Sequence, residues 1–171
     1  FLGTCAVRHM GAVLHEIETR LIPSLSNKTT EMPVVPEMAR QSTINVNSIH
    51  GGMAEIPPDS TAFPAACVPD SARMIIDRRF IAEESAAEVR GEIVELLERV
   101  RASRADFDYE LREMWSVAPS WTEAGAPVPA ALSRAIAGVL GRPAEYVASP
   151  GTYDQKHIDR IGRLKNCVAY G

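Results

Sequence analysis

Residues 72–112 read ARMIIDRRFIAEESAAEVRGEIVELLERVRASRADFDYELR, and the spacing of their apolar residues changes twice. Apolar side chains alternate in residues 72–80, which predicts a strand with Met74 and Ile76 on one face. Helical spacing follows after Ser85, and residues 105–112 alternate again between apolar and charged side chains. The stretch therefore predicts a strand, a helix and a second strand with one face in water.

The central helix has a defined start. Ser85-Ala86-Ala87-Glu88 matches a capping box, in which the serine and glutamate side chains bond each other's backbone N–H groups. Glu95 precedes Arg99 at the supportive i,i+4 spacing. The residues predicted to face inward are Ala86, Val89, Ile93, Leu96, Leu97 and Val100.

Two further elements are predicted upstream. Apolar residues recur every three or four positions from Cys5 to Leu21, which predicts a helix that ends before Pro23. Residues 42–49 alternate and predict a strand, which Gly51-Gly52 terminates, and the proline-containing stretch 53–70 is a predicted loop. The order helix, strand, strand, helix, strand predicts an α+β fold, namely a ferredoxin-like βαββαβ unit that lacks its first strand.

The composition changes after this unit. Residues 116–129 are rich in Pro, Ser and Gly, and we predict that they link residues 1–115 to a second segment, 130–171. That segment predicts a helix ended by Gly141, a short strand over 145–148, a polar turn over 149–154, a brief helix, and a strand over 167–170. This order is typical of part of an α/β sheet.

Composition limits the class of protein. The chain has 171 residues, 46% hydrophobic and 23% charged, which is typical of a globular protein rather than a disordered or disulfide-rich one. No apolar run reaches the roughly 18 residues of a membrane span, and a net charge of −4 without a basic stripe argues against nucleic acid as a partner. Three cysteines without CxxC spacing favour a reducing compartment, and we expect a cytoplasmic protein.

Catalytic signatures are not evident in the sequence, which contains no GxSxG, HExxH, GxGxxG or Walker motif. His15 and Glu18 have a spacing that some metal sites use, but a solvated helix face explains them better because a metal needs at least three ligands. His157 and Asp154 pose a similar choice, in which the turn binds a ligand or Asp154 caps a helix. Both readings of this turn stay open.

Arg79 lies in a strand where three charges occur in succession, Asp77-Arg78-Arg79. An arginine can hold a carboxylate through two parallel hydrogen bonds. The simpler reading of the residues is a surface ion pair between Asp77 and Arg79, because side chains two positions apart share one face of a strand. The residues alone favour the surface pair.

Three stretches together resemble a known family: STINVNSIHGG at residues 42–52, Val68-Pro69-Asp70, and Asp77-Arg78-Arg79. They resemble the lid, or dimerisation domain, of the dinuclear-zinc deacylases and peptidases, which include acetylornithine deacetylase, succinyl-diaminopimelate desuccinylase, aminoacylase and carboxypeptidase G. Residues 151–154 and 168–171 resemble the returning catalytic domain of the same family. The resemblance covers nearly the whole chain in the expected order.

The resemblance implies two zinc ions, whose ligands and catalytic glutamates are expected before Phe1 and beyond Gly171. We therefore expect the chain to be a fragment, and we assign no catalytic residue and no metal ligand within it. By position, Arg79 matches the lid arginine that binds the substrate carboxylate, and Gly151 and Thr152 match a turn at the substrate. The resemblance also implies a homodimer, formed through the first helix and the strand over 42–49.

The resulting interpretation is a fragment of a zinc-dependent amidohydrolase that hydrolyses an N-acyl amino acid or a related amine and is inactive alone. The alternative is a non-enzymatic ferredoxin-like module for dimerisation or for binding a small ligand. Two departures from the family pattern affect the expected substrate. Ala66-Cys67 precede the Val-Pro step where the family often has asparagine, and Tyr153 stands where many members have serine.

Overall fold

The computed structural model describes residues 3–52, 59, 61, 67–164 and 166–170. Helices and strands occur together in the described part, and the predicted α+β class is confirmed. The elements are α1 (Ala6–Glu16), a π-helical turn (Ile17–Leu21), α2 (Ile22–Leu25), a 3-10 turn (Glu37–Arg40), β1 (Thr43–Gly51), β2 (Ala72–Arg79), α3 (Ala86–Ser103), α4 (Pro127–Leu140) and α5 (Gln155–Arg160).

The two strands form an antiparallel ribbon in which Thr43 lies opposite Arg79 and Gly51 lies opposite Ala72. Asn47 is an extra residue in β1, so the register shifts between Val46 and Ser48 as in a β-bulge. Both predicted strands are thereby confirmed, with ends that differ by one or two residues. Most of the predicted 53–70 loop lies outside the described residues.

The ribbon has one face on the core and one in contact with solvent. Ile44, Val46, Met74 and Ile76 pack against the buried helical residues. Since neighbouring residues of a strand point to opposite faces, Asp77 and the positions flanking the core residues lie on the outer face. The alternation predicted for β2 is therefore confirmed.

The first helix does not end before Pro23, and that prediction is wrong. A π-helical turn over Ile17–Leu21 joins α1 directly to α2, and Pro23 lies in the first turn of α2. Proline is tolerated there because the first N–H groups of a helix need no partner within the helix. The Ser24 hydroxyl donates to the carbonyl oxygen of Leu21 at 2.7 Å.

The π-helical turn keeps one apolar row facing the core. Helix α1, this turn and α2 form one continuous helix over residues 6–25, here called the first helical rod. Its buried residues are spaced four positions apart: Val13, Ile17, Leu21 and Leu25. In a regular α-helix each step of four overshoots a full turn by about 40°, so the row would rotate away from the core. A wider turn in the middle of the rod corrects that rotation.

Helix α3 supplies the other half of the core. The capping box is confirmed, because Ser85 Oγ accepts from the Glu88 N–H and the Glu88 side chain accepts from the Ser85 N–H. Arg99 bonds both Glu95 and Glu16 of α1. Ala86 is exposed, contrary to prediction, and lies in the first turn of α3, before the first buried residue of that helix. The other five predicted residues are buried, namely Val89, Ile93, Leu96, Leu97 and Val100.

The strand predicted over 105–112 does not form a ladder in the described part of the chain. Its alternation is nevertheless present, since Phe107, Tyr109 and Leu111 pack against the core while Asp108 and Glu110 are exposed. A strand also needs a hydrogen-bonded neighbour, and periodicity in one segment does not supply it. The segment is extended on the core without pairing.

The C-terminal segment contains two helices and one backbone bridge. Helix α4 ends at Gly141, as predicted, with φ of 67° at that glycine, and the brief helix is α5. The helix α4 begins inside the predicted 116–129 link. The strand over 145–148 reduces to one bridge between Ala148 and Val34, and no strand is formed by residues 167–170 among those described.

Large apolar side chains remain exposed from residue 114 onward, before and within this C-terminal segment. They include Met114 at 80%, Trp115 at 70%, Val139 at 82% and Ile161 at 73%. The hydrophobic core cluster draws its buried members from residues 13–100 only. None of the helices in the described ranges combines the length and apolar character required to span a membrane.

Leu96 is 1% exposed at the centre of this core. We expect Leu96→Ala to lower the unfolding free energy by about 2–5 kcal/mol, because it removes buried methyl groups and leaves a cavity. Urea unfolding followed by circular dichroism measures the change. Leu140→Ala is the matched control, since Leu140 is 50% exposed and its loss should cost less than about 1 kcal/mol. Equal losses in both variants would contradict this core assignment.

Candidate functional site

Arg79 ends β2 on the outer face of the ribbon, and its side chain is 68% exposed. Its Nε donates to Oδ2 of Asp77 at 3.2 Å. The surface pair that the residues favoured is therefore present. The guanidinium is also accessible to a ligand, so this contact does not decide whether Arg79 binds substrate.

Arg78, between these two residues, has the opposite environment. Its side chain is 5% exposed, and its Nη2 donates to Glu84 Oε1 at 2.7 Å and to Glu92 Oε2 at 3.1 Å. Its Nη1 donates to the carbonyl oxygen of Arg79 at 2.5 Å. The buried guanidinium thus holds the backbone from which the Arg79 side chain extends.

Glu84 is the centre of this buried cluster. Lys28, Ser42 and Arg78 all donate to its carboxylate, and so does the backbone N–H of Ile81. Burial alone would raise the pKa of Glu84, but the hydrogen bonds from Ser42 and Lys28 and the charge of Arg78 outweigh it and lower the pKa to about 2. Glu84 is therefore ionised at every physiological pH.

Lys28 closes the cluster from the segment that follows α2. Its Nζ donates to Glu92 and, at 2.9 Å, to Glu84. The hydrogen bond to Glu92 is the main cause that raises the pKa of Lys28, against the opposing effect of burial. The cluster joins the end of the first helical rod, β2 and α3 through charge-assisted bonds.

This cluster was not predicted from the sequence. The alternation of β2 does contain a signal, because a strand that places Met74 and Ile76 on the core also places Arg78 there. A buried arginine requires acidic partners. Lys28 is far from Arg78 in the sequence, and no sequence pattern indicated that its side chain belongs to this cluster.

Gly151 and Thr152 lie in the turn that precedes α5. The Gly151 N–H donates to Ser149 Oγ at 3.2 Å, and that hydroxyl lies 3.1 Å from the Tyr153 hydroxyl. A Cβ on Gly151 would come within 2.8 Å of the Tyr153 ring. A side chain at position 151 would therefore displace the ring of Tyr153 from its place over the turn.

The two predicted parts of the substrate site are not joined by a hydrogen bond or ion pair within the described residues. Arg79 contacts Asp77, while the turn at Gly151 is held by Ser149 and Tyr153. The C-terminal segment instead reaches the first domain through the backbone bonds of Ala148 with Pro33 and Val35. The assignment of Arg79, Gly151 and Thr152 to substrate binding stays a prediction.

The histidines do not assemble a metal site. His15 and Glu18 are both exposed on the first helical rod, whereas His9 packs edge-on against Phe107 at 5.5 Å. Asp154 precedes α5 without a side-chain cap bond, so of the two alternatives left open for this turn the capping role is not observed. No group of three potential metal ligands occurs among the described residues, so the donors in this part of the chain do not fit a dinuclear metal centre.

The outer edge of β1 is the remaining candidate surface. β1 pairs with β2 along one side, and its exposed residues include Asn45 and Asn47. The first helical rod exposes Val7 at 41% and Ile22 at 39%. A strand edge of this kind offers backbone groups to a partner strand.

We expect Glu84→Gln to lower the unfolding free energy at neutral pH by on the order of 3 kcal/mol, because it removes the anion that three donors and the Ile81 N–H share. A carboxyl with pKa 4.5 when unfolded and about 2 when folded stabilises the fold above 4.5 and loses this contribution as the pH falls toward 2.

Urea unfolding measured over this pH range checks the sign. The difference between wild type and Glu84→Gln should shrink as the solution is acidified below pH 4.5, the unfolded-state value. Glu113→Gln, at an exposed position, is the control and should stay within about 0.5 kcal/mol of wild type. A difference that is independent of pH would contradict the assignment of Glu84.

Comparison with known proteins adds one match. Residues 3–105 match the family model of the peptidase dimerisation domain, and this range contains the first helical rod, both strands and α3. No curated protein and no solved structure matches the sequence. Because the family model covers more than half of the chain, the protein belongs to the peptidase dimerisation domain family.

Proposed function

We propose that this chain is part of a metal-dependent amidohydrolase that removes the acyl group from an N-acyl amino acid or a related amine. The observation that carries the proposal is the family match over residues 3–105, since domains of this family belong to hydrolases of the peptidase type. The exposed apolar residues after residue 113 support it, because such side chains fit a surface that the rest of a larger protein covers.

The proposal includes the two zinc ions that the resemblance implies. As the resemblance implies, we assign the ligands of these ions to parts of the parent protein outside this chain; the described residues contain no group of three ligands. No residue of this chain is proposed to hold metal. We also propose a cytoplasmic location, which the free thiols of Cys5, Cys67 and Cys167 support.

Within this enzyme, the proposed role of the chain is to bind substrate. Arg79 would hold the substrate carboxylate, because its guanidinium is exposed and its backbone is fixed by the buried Arg78. Gly151 and Thr152 would line the substrate from the turn before α5. The chain by itself would be inactive, since it would bind part of the substrate without the groups that hydrolyse the amide.

The dimer that a domain of this family implies is proposed to form through the first helical rod and the outer edge of β1. Two copies related by a twofold axis would pair their β1 edges and extend the sheet across the interface. The exposed Val7 and Ile22 support an interface on the neighbouring helical surface.

The first test compares the parent protein with the 171-residue chain. We expect the parent to hydrolyse at least one member of a panel of N-acetyl and N-succinyl amino acids, with activity lost to a chelator and restored by zinc or cobalt. The isolated chain should show no turnover with either metal, because no metal-ligand set is assigned to it and its described residues contain no group of three ligands. Metal-dependent turnover by the isolated chain would contradict its inactivity. A parent protein that hydrolyses no compound of the panel would favour the alternative, a non-enzymatic module.

The second test concerns assembly. We expect Asn47→Lys to raise the dimer dissociation constant of the parent protein by about tenfold or more, because like charges would meet across the paired edges. Sedimentation over a range of concentrations measures this constant. Glu145→Lys, on the C-terminal segment, is the control and should leave it unchanged. A wild-type protein that is monomeric throughout, or a dimer insensitive to Asn47→Lys, would refute the proposed interface.

A further inference from the structure

Arginines of the chain pair with nearby carboxylates in different ways, and three of these pairs show the contrast that matters for Arg79. Arg112 donates to Glu110 through both Nε, at 2.7 Å, and Nη2, at 2.9 Å. Arg40 likewise donates to Glu37 through Nε at 2.7 Å and Nη2 at 3.3 Å. In these two pairs the carboxylate occupies one complete side of the guanidinium fork.

Arg79 is held at one point only. Its Nε donates to Asp77 Oδ2 at 3.2 Å, and the structure gives its side chain no second hydrogen bond within the described residues. A guanidinium has five N–H donors. The four on Nη1 and Nη2 therefore remain for a ligand, and they form the end-on edge that can bind a carboxylate through two parallel bonds.

The surroundings keep this arrangement in place. Asn45 lies opposite Asp77 on β1, but its Nδ2 donates to Asn47 Oδ1 at 2.6 Å, and the described residues show no hydrogen bond from it to Asp77. From the core side, Arg78 Nη1 donates to the Arg79 carbonyl oxygen. Arg78 thus fixes the backbone of Arg79, and Asp77 fixes the Nε of its side chain.

An exposed ion pair of this kind contributes little to folding. Asp77 and Arg79 are 41% and 68% exposed, so stability is a weak reason for their contact. The contact does restrict the rotamers of a long side chain, and a side chain ordered before binding loses less entropy when the ligand arrives.

We propose that Asp77 is a positioning residue, which takes the Nε of Arg79 and directs its Nη1 and Nη2 end-on toward the substrate carboxylate. The inference rests on the proposed function, and it adds a specificity residue that does not itself touch the substrate. Its competitor is a role in which Asp77 neutralises Arg79 and opposes the binding of anions.

The experiment uses the parent protein and two probes: the N-acetyl-L-amino acid that it hydrolyses fastest, and the carboxamide of that compound. We expect Arg79→Ala and Arg79→Lys to lower kcat/KM for the carboxylate by about tenfold or more, with little change for the carboxamide. Asp77→Ala should lower kcat/KM for the carboxylate by about fivefold, mainly through KM, and should also spare the carboxamide.

Asp77→Asn separates hydrogen bonding from charge. Its amide oxygen still accepts from Nε, so this variant should keep most of the activity that Asp77→Ala loses. The double variant of Asp77→Ala and Arg79→Ala should be no worse than Arg79→Ala, because Asp77 acts through the arginine. Glu110→Ala is the matched control, since it breaks an arginine pair of the same spacing, and it should change neither probe.

The outcomes distinguish the carboxylate-binding role of Arg79 from the positioning role of Asp77. If Arg79→Ala affects both probes alike, or if the parent hydrolyses no panel member, the proposed binding of the substrate carboxylate by Arg79 is wrong, and so is the positioning role of Asp77. If Arg79→Ala discriminates between the probes but Asp77→Ala is neutral or improves kcat/KM, only the positioning role is overturned. A loss shared equally by both probes in Asp77→Ala identifies a structural residue and also overturns the inference.

Discussion

The buried guanidinium of Arg78 is the interaction on which the arrangement of this domain depends. It joins β2 to Glu84 and Glu92. Lys28, in the segment after α2, donates to both of these carboxylates, and Ser42, which immediately precedes β1, donates to Glu84. Removing one partner from such a cluster leaves an uncompensated buried charge, which is costly. The cluster therefore specifies how the first helical rod, the ribbon and α3 meet.

The same cluster relates the core to the exposed surface. Arg78 and Arg79 are adjacent, yet one lies under the sheet and the other lies on its outer face, because neighbouring residues of a strand point in opposite directions. The bond from Arg78 to the Arg79 carbonyl oxygen makes the surface arginine an extension of a rigid element. A binding group on such a support is positioned more precisely than one on a loop.

Local patterns predicted much of the fold. The capping box at Ser85 and the end of α4 at Gly141 follow from residue type, because they depend on bonds between residues close in sequence. The buried face of α3 and the two strands of the ribbon follow from the spacing of apolar residues. The errors occur where a distant partner decides. Residues 107–111 have the alternation of a strand but no neighbour in the described part, and Pro23 continues a helix because a π-helical turn precedes it.

The sequence by itself therefore determined the α+β class, most of the buried face of α3, the core face of β2, and the exposed pair of Asp77 and Arg79. The tertiary structure decided that Lys28, Ser42 and Arg78 all donate to Glu84, and that Lys28 and Arg78 also share Glu92. It also decided that Asp77 holds a single nitrogen of Arg79. The physical reason is that periodicity reports the direction of a side chain relative to its own backbone, whereas a charge cluster depends on which elements pack together.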